Sequence, residues 1–335
     1  MKEQSTKDQV MSMVAGGVVS RAIHVAAELG IADAIGDDQK HFQEVATAVN
    51  ADSRSLFRLL RMLTSHGFFQ EKGEGEFSLT PLGQTLRSDS SESLHDLILQ
   101  EDELCWKAIG NLKAAIVNGI PAFDHIYGKS YFEYLAVNPE VNARFEAGMS
   151  NLTEDENIQI SQVIQLEQAK KVVDVGGGRG GFLASLLRHH KHLEGILYEL
   201  PHVVFSNESL LFEGVEDRCE VVSGSFFDQL PEGAGVYLLK RVLCDWDDEA
   251  CGVLLSNCLK AMNSEGKIYI IESIMPETGG ARHLWNTDIY MMALFSGRER
   301  TEQEYRDLLA HSGLMIDRII PTDSELSIIE VVEKR

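Results

Sequence analysis

"VVDVGGGRGGFLASLL", residues 172–187, is the stretch that decides the fold. A short β-branched run is followed by five glycines in the six positions 176–181. Glycine gives up side-chain packing and costs backbone entropy, so a turn this rich in it is built for another molecule to come close. Dinucleotides, nucleoside triphosphates and sulfonium cofactors all sit on such turns, and each brings different chemistry.

Working outward, the rhythm of the chain changes at this point. Up to about residue 165 the apolar spacing is helical, as in "VVSRAIHVAAELGIADAI", "RSLFRLLRMLTSHGFF" and "CWKAIGNLKAAIVNG". From "KKVVDV" onward, β-branched runs at 170–175, 194–200, 219–224, 236–242, 266–274, 315–321 and 326–333 alternate with helices. That alternation predicts an α/β fold, a doubly wound Rossmann-like parallel sheet with right-handed crossovers. Only "PTDSE" separates the last two runs, too little for a crossover, so they pair as an antiparallel hairpin. The expected layout is a helical, winged-helix domain over 1–95, linker helices over 96–165, and the sheet domain over 166–335.

Within the first half, "HFQEVATAVNADSRSLFRLLRMLTSHGFFQEKGEGEFSLTPLGQTL" reads as a winged helix-turn-helix. Arg54, Arg58 and Arg61 share one helical face, which taken literally predicts DNA binding. Opposite them runs the stripe Leu56, Leu59, Leu60 and Leu63. Residues 40–90 hold six Lys or Arg and six Asp or Glu, so the segment is electrically balanced and reads as a solvated face.

A net charge of −22 repels nucleic acid and anionic lipid over most of the surface. No apolar run reaches the roughly 18 residues of a membrane span, and "MKEQSTKDQV" lacks a secretory core. Cys105, Cys219, Cys244, Cys251 and Cys258 are odd in number and form no CxxC pair, which predicts reduced thiols in the cytoplasm. The expected partner is a small neutral or cationic molecule.

The glycine turn fits two templates. Gly176, Gly178 and Gly181 satisfy GxGxxG, and Asp174, Gly176, Gly178 and Gly180 satisfy DxGxGxG. No Gly-Lys-Ser/Thr follows, which excludes a P-loop. Asp174 places a carboxylate where a dinucleotide would carry pyrophosphate; like charges there cost energy, whereas the ammonium and sulfonium of S-adenosylmethionine are attracted. Glu199, ending the second strand in "GILYELPHVV", is placed to accept ribose hydroxyls. In "VVSGSFFDQLP", Phe226 is placed to cover an adenine face and Ser225 to bond its edge. The run His189, His190 and His192 falls at a helix end, where cationic side chains suit the negative terminus, and no metal site is expected.

The ordered motifs "DVGGGRGG", "YELPHVV", "GSFFDQLP", "LLKRVLCDWDDE", "GKIYIIESIMPE" and "SGRERTEQEY" carry a resemblance. The chain resembles, nearly end to end, the class I S-adenosylmethionine-dependent small-molecule O-methyltransferases of the caffeic acid/hydroxyneurate type, in their bacterial natural-product tailoring branch. The resemblance implies O-methylation of a small aromatic acceptor, and a homodimer made by the N-terminal domain. It implies cofactor contacts at Gly176, Glu199, Ser225, Phe226 and Lys240, beside the Asp174 and Gly178 of the turn. It also implies an acceptor pocket lined by Phe145, Met149 and Met291.

One position departs. Where that family has His-Asp-Trp with the histidine as general base, this chain has Cys244-Asp245-Trp246, while the two flanking acids match Glu272 and Glu299. A thiol of pKa about 8.5 is a poor substitute for imidazole, and nearby carboxylates raise it further. Three readings follow: transfer to an acceptor that is already nucleophilic, including carbon or nitrogen; a base from elsewhere, such as Glu272, Glu299 or His125; or a relative that binds the cofactor without transferring methyl. Outside the family, an NAD-dependent oxidoreductase and a DNA-binding regulator are the rival classes.

Overall fold

The computed structural model describes residues 5–90, 92–100, 103–206 and 212–334. These divide into two compact units: residues up to 102 with Ala147–Leu152, and Glu103–Glu146 with Thr153 onward.

The first unit opens with the helix Thr6–Glu28, whose Ser5 side chain accepts the Asp8 N–H as an N-cap. After the helix Phe42–Ala48 comes Ser53–Ser65, capped by Asp52 on the Ser55 N–H. Strands β1 (Lys40–His41), β2 (Phe69–Glu71) and β3 (Glu76–Leu79) form an antiparallel sheet in the order β1-β3-β2. This is the winged-helix arrangement. Leu56, Leu60 and Leu63 face inward on Ile31, Ile35, Val45, Phe69 and Phe77. The exposed Arg61 ion-pairs with Glu71 at 3.3 Å and lies over the Phe57 ring.

One expectation needs correction here. Although interrupted by polar residues, Thr6–Glu28 has an 18-residue window of mean hydropathy 1.5, long and apolar enough to cross a membrane by length and composition. Val10, Met11, Met13, Val14 and Val18 stand more than half exposed. Small and polar residues between them break the apolar run in the sequence.

The second unit is built on a mixed sheet. Its strands are β4 (Lys171–Val175), β5 (Glu194–Glu199), β6 (Cys219–Ser223), β7 (Val236–Lys240), β8 (Lys267–Met275), β9 (Arg300–Thr301), β10 (Leu314–Pro321) and β11 (Leu326–Glu333). They run in the order β10-β11-β8-β7-β4-β5-β6, with the short β9 beside β8. Pairs from β6 to β8 are parallel, whereas β11 is antiparallel to β8 and β10 to β11. The doubly wound sheet and its closing hairpin are therefore as expected. The chain leaves β4 for β5 and β6 on one side and returns to β7 and β8 on the other. Such a reversal opens a crevice at the carboxyl ends of the strands, where ligands of open α/β sheets bind.

Apolar layers cover both faces of the sheet. On one, Leu254, Leu255 and Cys258 of the helix Asp248–Ala261 pack with Tyr305 and Leu309; on the other, Leu183, Leu186 and Leu187 pack beneath Leu197. Cys251 and Cys258 are fully buried members of that core. The histidine run ends the helix Gly181–His189, where His190 and His192 pair through Nε2 with the Ser161 and Leu166 carbonyls.

Candidate functional site

The turn after β4 lies at the crevice. Gly176 and Gly178 adopt φ of +70° and +55°, a region that side chains rarely tolerate. A Cβ on Gly177 would collide with the Asp174 carboxylate and Leu197. Asp174 is thus packed beneath the turn, 1% exposed, and its Oδ2 has no hydrogen-bond partner among the described residues. Burial pushes its pKa up to about 7, against the pull of Lys240 and with the push of Glu199. Glu199, at the end of β5, accepts the Gly178 N–H at 2.9 Å and the Leu200 N–H at 2.6 Å.

After β6, Ser225 accepts the Phe227 N–H through Oγ, while its carbonyl accepts the Tyr198 hydroxyl. The Phe226 ring stands 3.6 Å from the Cβ position of Gly176, with Val242 beside it. The structure therefore gathers Asp174, Gly176, Gly178, Glu199, Ser225 and Phe226 around one turn. Lys240 ends β7 with its ammonium 3.2 Å from Glu156, a residue the sequence reading did not single out. Burial lowers its pKa to about 8, against the Glu156 charge. Its neighbour Arg241 adopts φ +55°, strained for a residue with a side chain, and ion-pairs with Glu156 at 2.6 Å and Glu325 at 3.0 Å.

The turn Leu243–Asp245 carries Cys244, and two buried charges grip it from opposite sides. Glu272 Oε1 accepts the N–H groups of Val242, Leu243 and Cys244 at 3.0, 2.6 and 3.2 Å, and Oε2 accepts the Tyr305 hydroxyl at 2.5 Å. Arg300, fully buried, donates to the Leu243 and Trp246 carbonyls at 2.8 Å each and pairs with Asp248. A carboxylate on the donors and a guanidinium on the acceptors fix the turn through its backbone. Glu272 is thus committed to four donors and has little capacity left to take a proton from an acceptor.

Cys244 is 6% exposed. Burial first, then the charges of Glu272, Asp245 and Glu299, push its thiol well above the ordinary value, so it is protonated at neutral pH. Its Sγ donates weakly to Asp245 Oδ1 at 3.9 Å. Gly297 fits beneath the Cys244 carbonyl, where any side chain would clash, which brings the segment leading to Glu299 against the turn. Glu299 is 7% exposed; its N–H donates to Asp288, and its Oε2 has no partner among the described residues. Burial, followed by the Glu272 charge, raises its pKa to about 7. His125, the other candidate base, is exposed on the helix Ala122–Tyr127.

Aromatic rings crowd beside this turn. Trp246 stacks on Phe132 at 5.5 Å and 18°, and Phe132 touches Phe145 and Phe295 at 6.2 and 5.4 Å. Tyr131 meets Phe145 and Phe295 edge-on. Of the anticipated acceptor-pocket residues, Phe145 lies in this cluster and Met291 is buried on the helix Arg282–Leu294. Met149 is half-buried in the stretch that groups with the first unit.

A cradle of bare glycines over a buried carboxyl, one oxygen of which has no partner among the described residues, suits a cationic nucleoside and disfavours phosphates. The residues present fit S-adenosylmethionine: Glu199 for the ribose, Phe226 for the adenine, and the acidic turn for its positive charge.

Comparison with known proteins agrees. The O-methyltransferase domain family matches residues 109–315, and the O-methyltransferase dimerisation domain family matches residues 11–89. Phenazine O-methyltransferase PhzM of Lysobacter antibioticus is 36% identical over 324 residues, 96% of this chain and 94% of that protein. The crystal structure of LaPhzM superposes with a TM-score of 0.93 at 34% identity, covering 98% of this chain and 99% of that one. NcsB1, an O-methyltransferase from neocarzinostatin biosynthesis in complex with S-adenosylmethionine and 2-hydroxy-5-methyl naphthoic acid, superposes with a TM-score of 0.85. It is 34% identical, with 94% of this chain and 96% of that one covered.

Proposed function

The chain belongs to the S-adenosylmethionine-dependent O-methyltransferases, and from that premise we propose that its acceptor is a small hydroxylated aromatic molecule whose proton passes to Glu299. The observation that carries this reading is the aromatic cluster of Tyr131, Phe132, Phe145, Phe295 and Trp246 beside the Cys244 turn. Rings offering both faces and edges suit a flat aromatic guest.

When bound, S-adenosylmethionine supplies a methyl group on a sulfonium, a good leaving group. Most of the rate then comes from holding the acceptor oxygen in line and dry, which is the work of the aromatic side chains. The remaining need is an ionised acceptor, because a phenol of pKa about 10 is mostly neutral at pH 7. Glu299 meets that need: its Oε2 is unpartnered among the described residues, and a pKa near 7 suits a general base. Cys244, protonated and buried, fills the position without taking the proton. Glu272 and Arg300 hold the turn in place.

The test is a thermal-shift panel followed by an acceptor screen. S-adenosylmethionine and S-adenosylhomocysteine raise the melting temperature, whereas NADH and NADPH do not. Incubation with hydroxylated naphthoates or phenazines then yields S-adenosylhomocysteine and a product heavier by one CH2. A melting response to NADH alone, or no methylated product from any phenol, overturns the reading.

The first unit pairs two copies of the chain through the exposed face of Thr6–Glu28, within the matched dimerisation domain. Burying Val14 and Val18 there gains about 1.5 to 3 kcal/mol for each fully covered side chain. Val14→Asp with Val18→Asp is expected to shift the sedimentation coefficient from dimer to monomer, and an unchanged dimer would count against this face. None of the five cysteines forms a disulfide among the described residues, which suits work in the reducing cytoplasm.

A further inference from the structure

The helix Pro139–Val163 carries a second acid to the glycine turn. Glu146 is 8% exposed, and its Oε2 stands 3.2 Å from where a Cβ on Gly178 would lie. A side chain at position 178, already strained at φ +55°, would crowd the carboxyl. The Glu146 carboxyl makes no hydrogen bond among the described residues, and the charges that act on it are those of Glu199, which repels, and Arg179, which attracts. Glu199 holds the Gly178 and Leu200 N–H groups, and Asp174 is packed beneath Gly177.

We infer that Glu146 is a further cofactor-binding residue: its carboxylate, set across Gly178 from Glu199, receives the positive charge of S-adenosylmethionine. The inference rests on the cofactor assigned above. A buried carboxyl with no hydrogen-bond partner is costly when ionised, and a cation delivered by the ligand removes that cost. Without a ligand, burial and Glu199 raise the pKa of Glu146 to about 8, so it is mostly protonated at pH 7. Binding therefore exchanges one positive species for another: the cation enters, the carboxyl ionises, and its proton leaves to solvent. In sequence Glu146 looks like one of several acids on a solvated helix, beside Glu140, Glu154, Asp155 and Glu156.

The test is calorimetry at pH 7 in two buffers of different ionisation enthalpy, with S-adenosylmethionine, S-adenosylhomocysteine and adenosine as titrants. The wild-type protein is expected to release most of a proton on binding S-adenosylmethionine. Glu146→Gln, nearly isosteric, is expected to remove most of that release, leaving only the share of Asp174, whose pKa of about 7 also lies near the working pH, and to weaken binding by at least about tenfold, the worth of a charge-assisted contact. Glu146→Asp should recover part of both. Loss for both charged ligands assigns the ammonium as the group held, and loss for S-adenosylmethionine alone assigns the sulfonium; either supports the inference. Adenosine, which carries neither cation, should bind the variant and the wild type equally. Unchanged affinity and proton count in Glu146→Gln, or equal weakening of adenosine, would overturn it. Should the wild type bind none of the three, it is the cofactor assignment that fails.

Discussion

Glu299→Gln is expected to lower kcat by about a hundredfold at pH 7, within the range that a positioned general base contributes. The wild-type rate should rise with pH through about 7, the value to which burial and Glu272 bring this carboxyl. The sign follows from the role: a base acts when ionised, so activity is lost as pH falls through its pKa. In the variant that limb disappears and the remaining pH dependence is set by the acceptor's own hydroxyl. The affinity for S-adenosylhomocysteine should not change. A full rate with the limb intact would remove Glu299 from the role and point to Asp245, whose Oδ1 takes the Cys244 thiol. Cys244→His complements this experiment, since an imidazole beside Glu272 and Glu299 should raise turnover on a weakly acidic phenol. A flat response with folding intact would mean that the acceptor needs no help to ionise.

The largest loss of stability is expected from Glu272→Ala. It strands three backbone N–H groups and the Tyr305 hydroxyl inside a site that is 1% exposed. Leaving buried donors unpaired costs about 1 to 3 kcal/mol each, discounted here because the turn is free to relax, for a total of about 3 to 5 kcal/mol. The midpoint of urea unfolding should fall accordingly, with an unchanged slope. Glu272→Gln keeps one acceptor oxygen and should cost less. A midpoint that does not move in Glu272→Ala would show that the turn finds other partners.

Much of this architecture is legible in the sequence, for physical reasons. Strands buried on both faces are near-continuous apolar runs, so β4, β5, β7 and β8 lie within a residue or two of their expected bounds. The glycines announce the turn because nothing else tolerates its dihedral angles or Asp174 beneath it. Glu272 and Glu299, by contrast, look equivalent as two acids near a missing histidine. Only folding separates them, because β8 carries Glu272 under three converging N–H groups while one Glu299 oxygen is left without a partner among the described residues. Glu146, Glu156 and Arg300 were invisible for the same reason. Their partners lie far away in the chain, and long-range pairing leaves no local period to read.

The grip on the turn at 243–245 has a consequence for how such enzymes diversify. Every strong bond that positions residue 244 goes to main-chain atoms, from Glu272 on one side, with Arg300 holding the flanking carbonyls on the other. The side chain there bears little of the architecture's weight, so the position behaves as an interchangeable socket. A lineage can exchange imidazole for thiol in it, altering which acceptors react, while the scaffold around the socket stands as before.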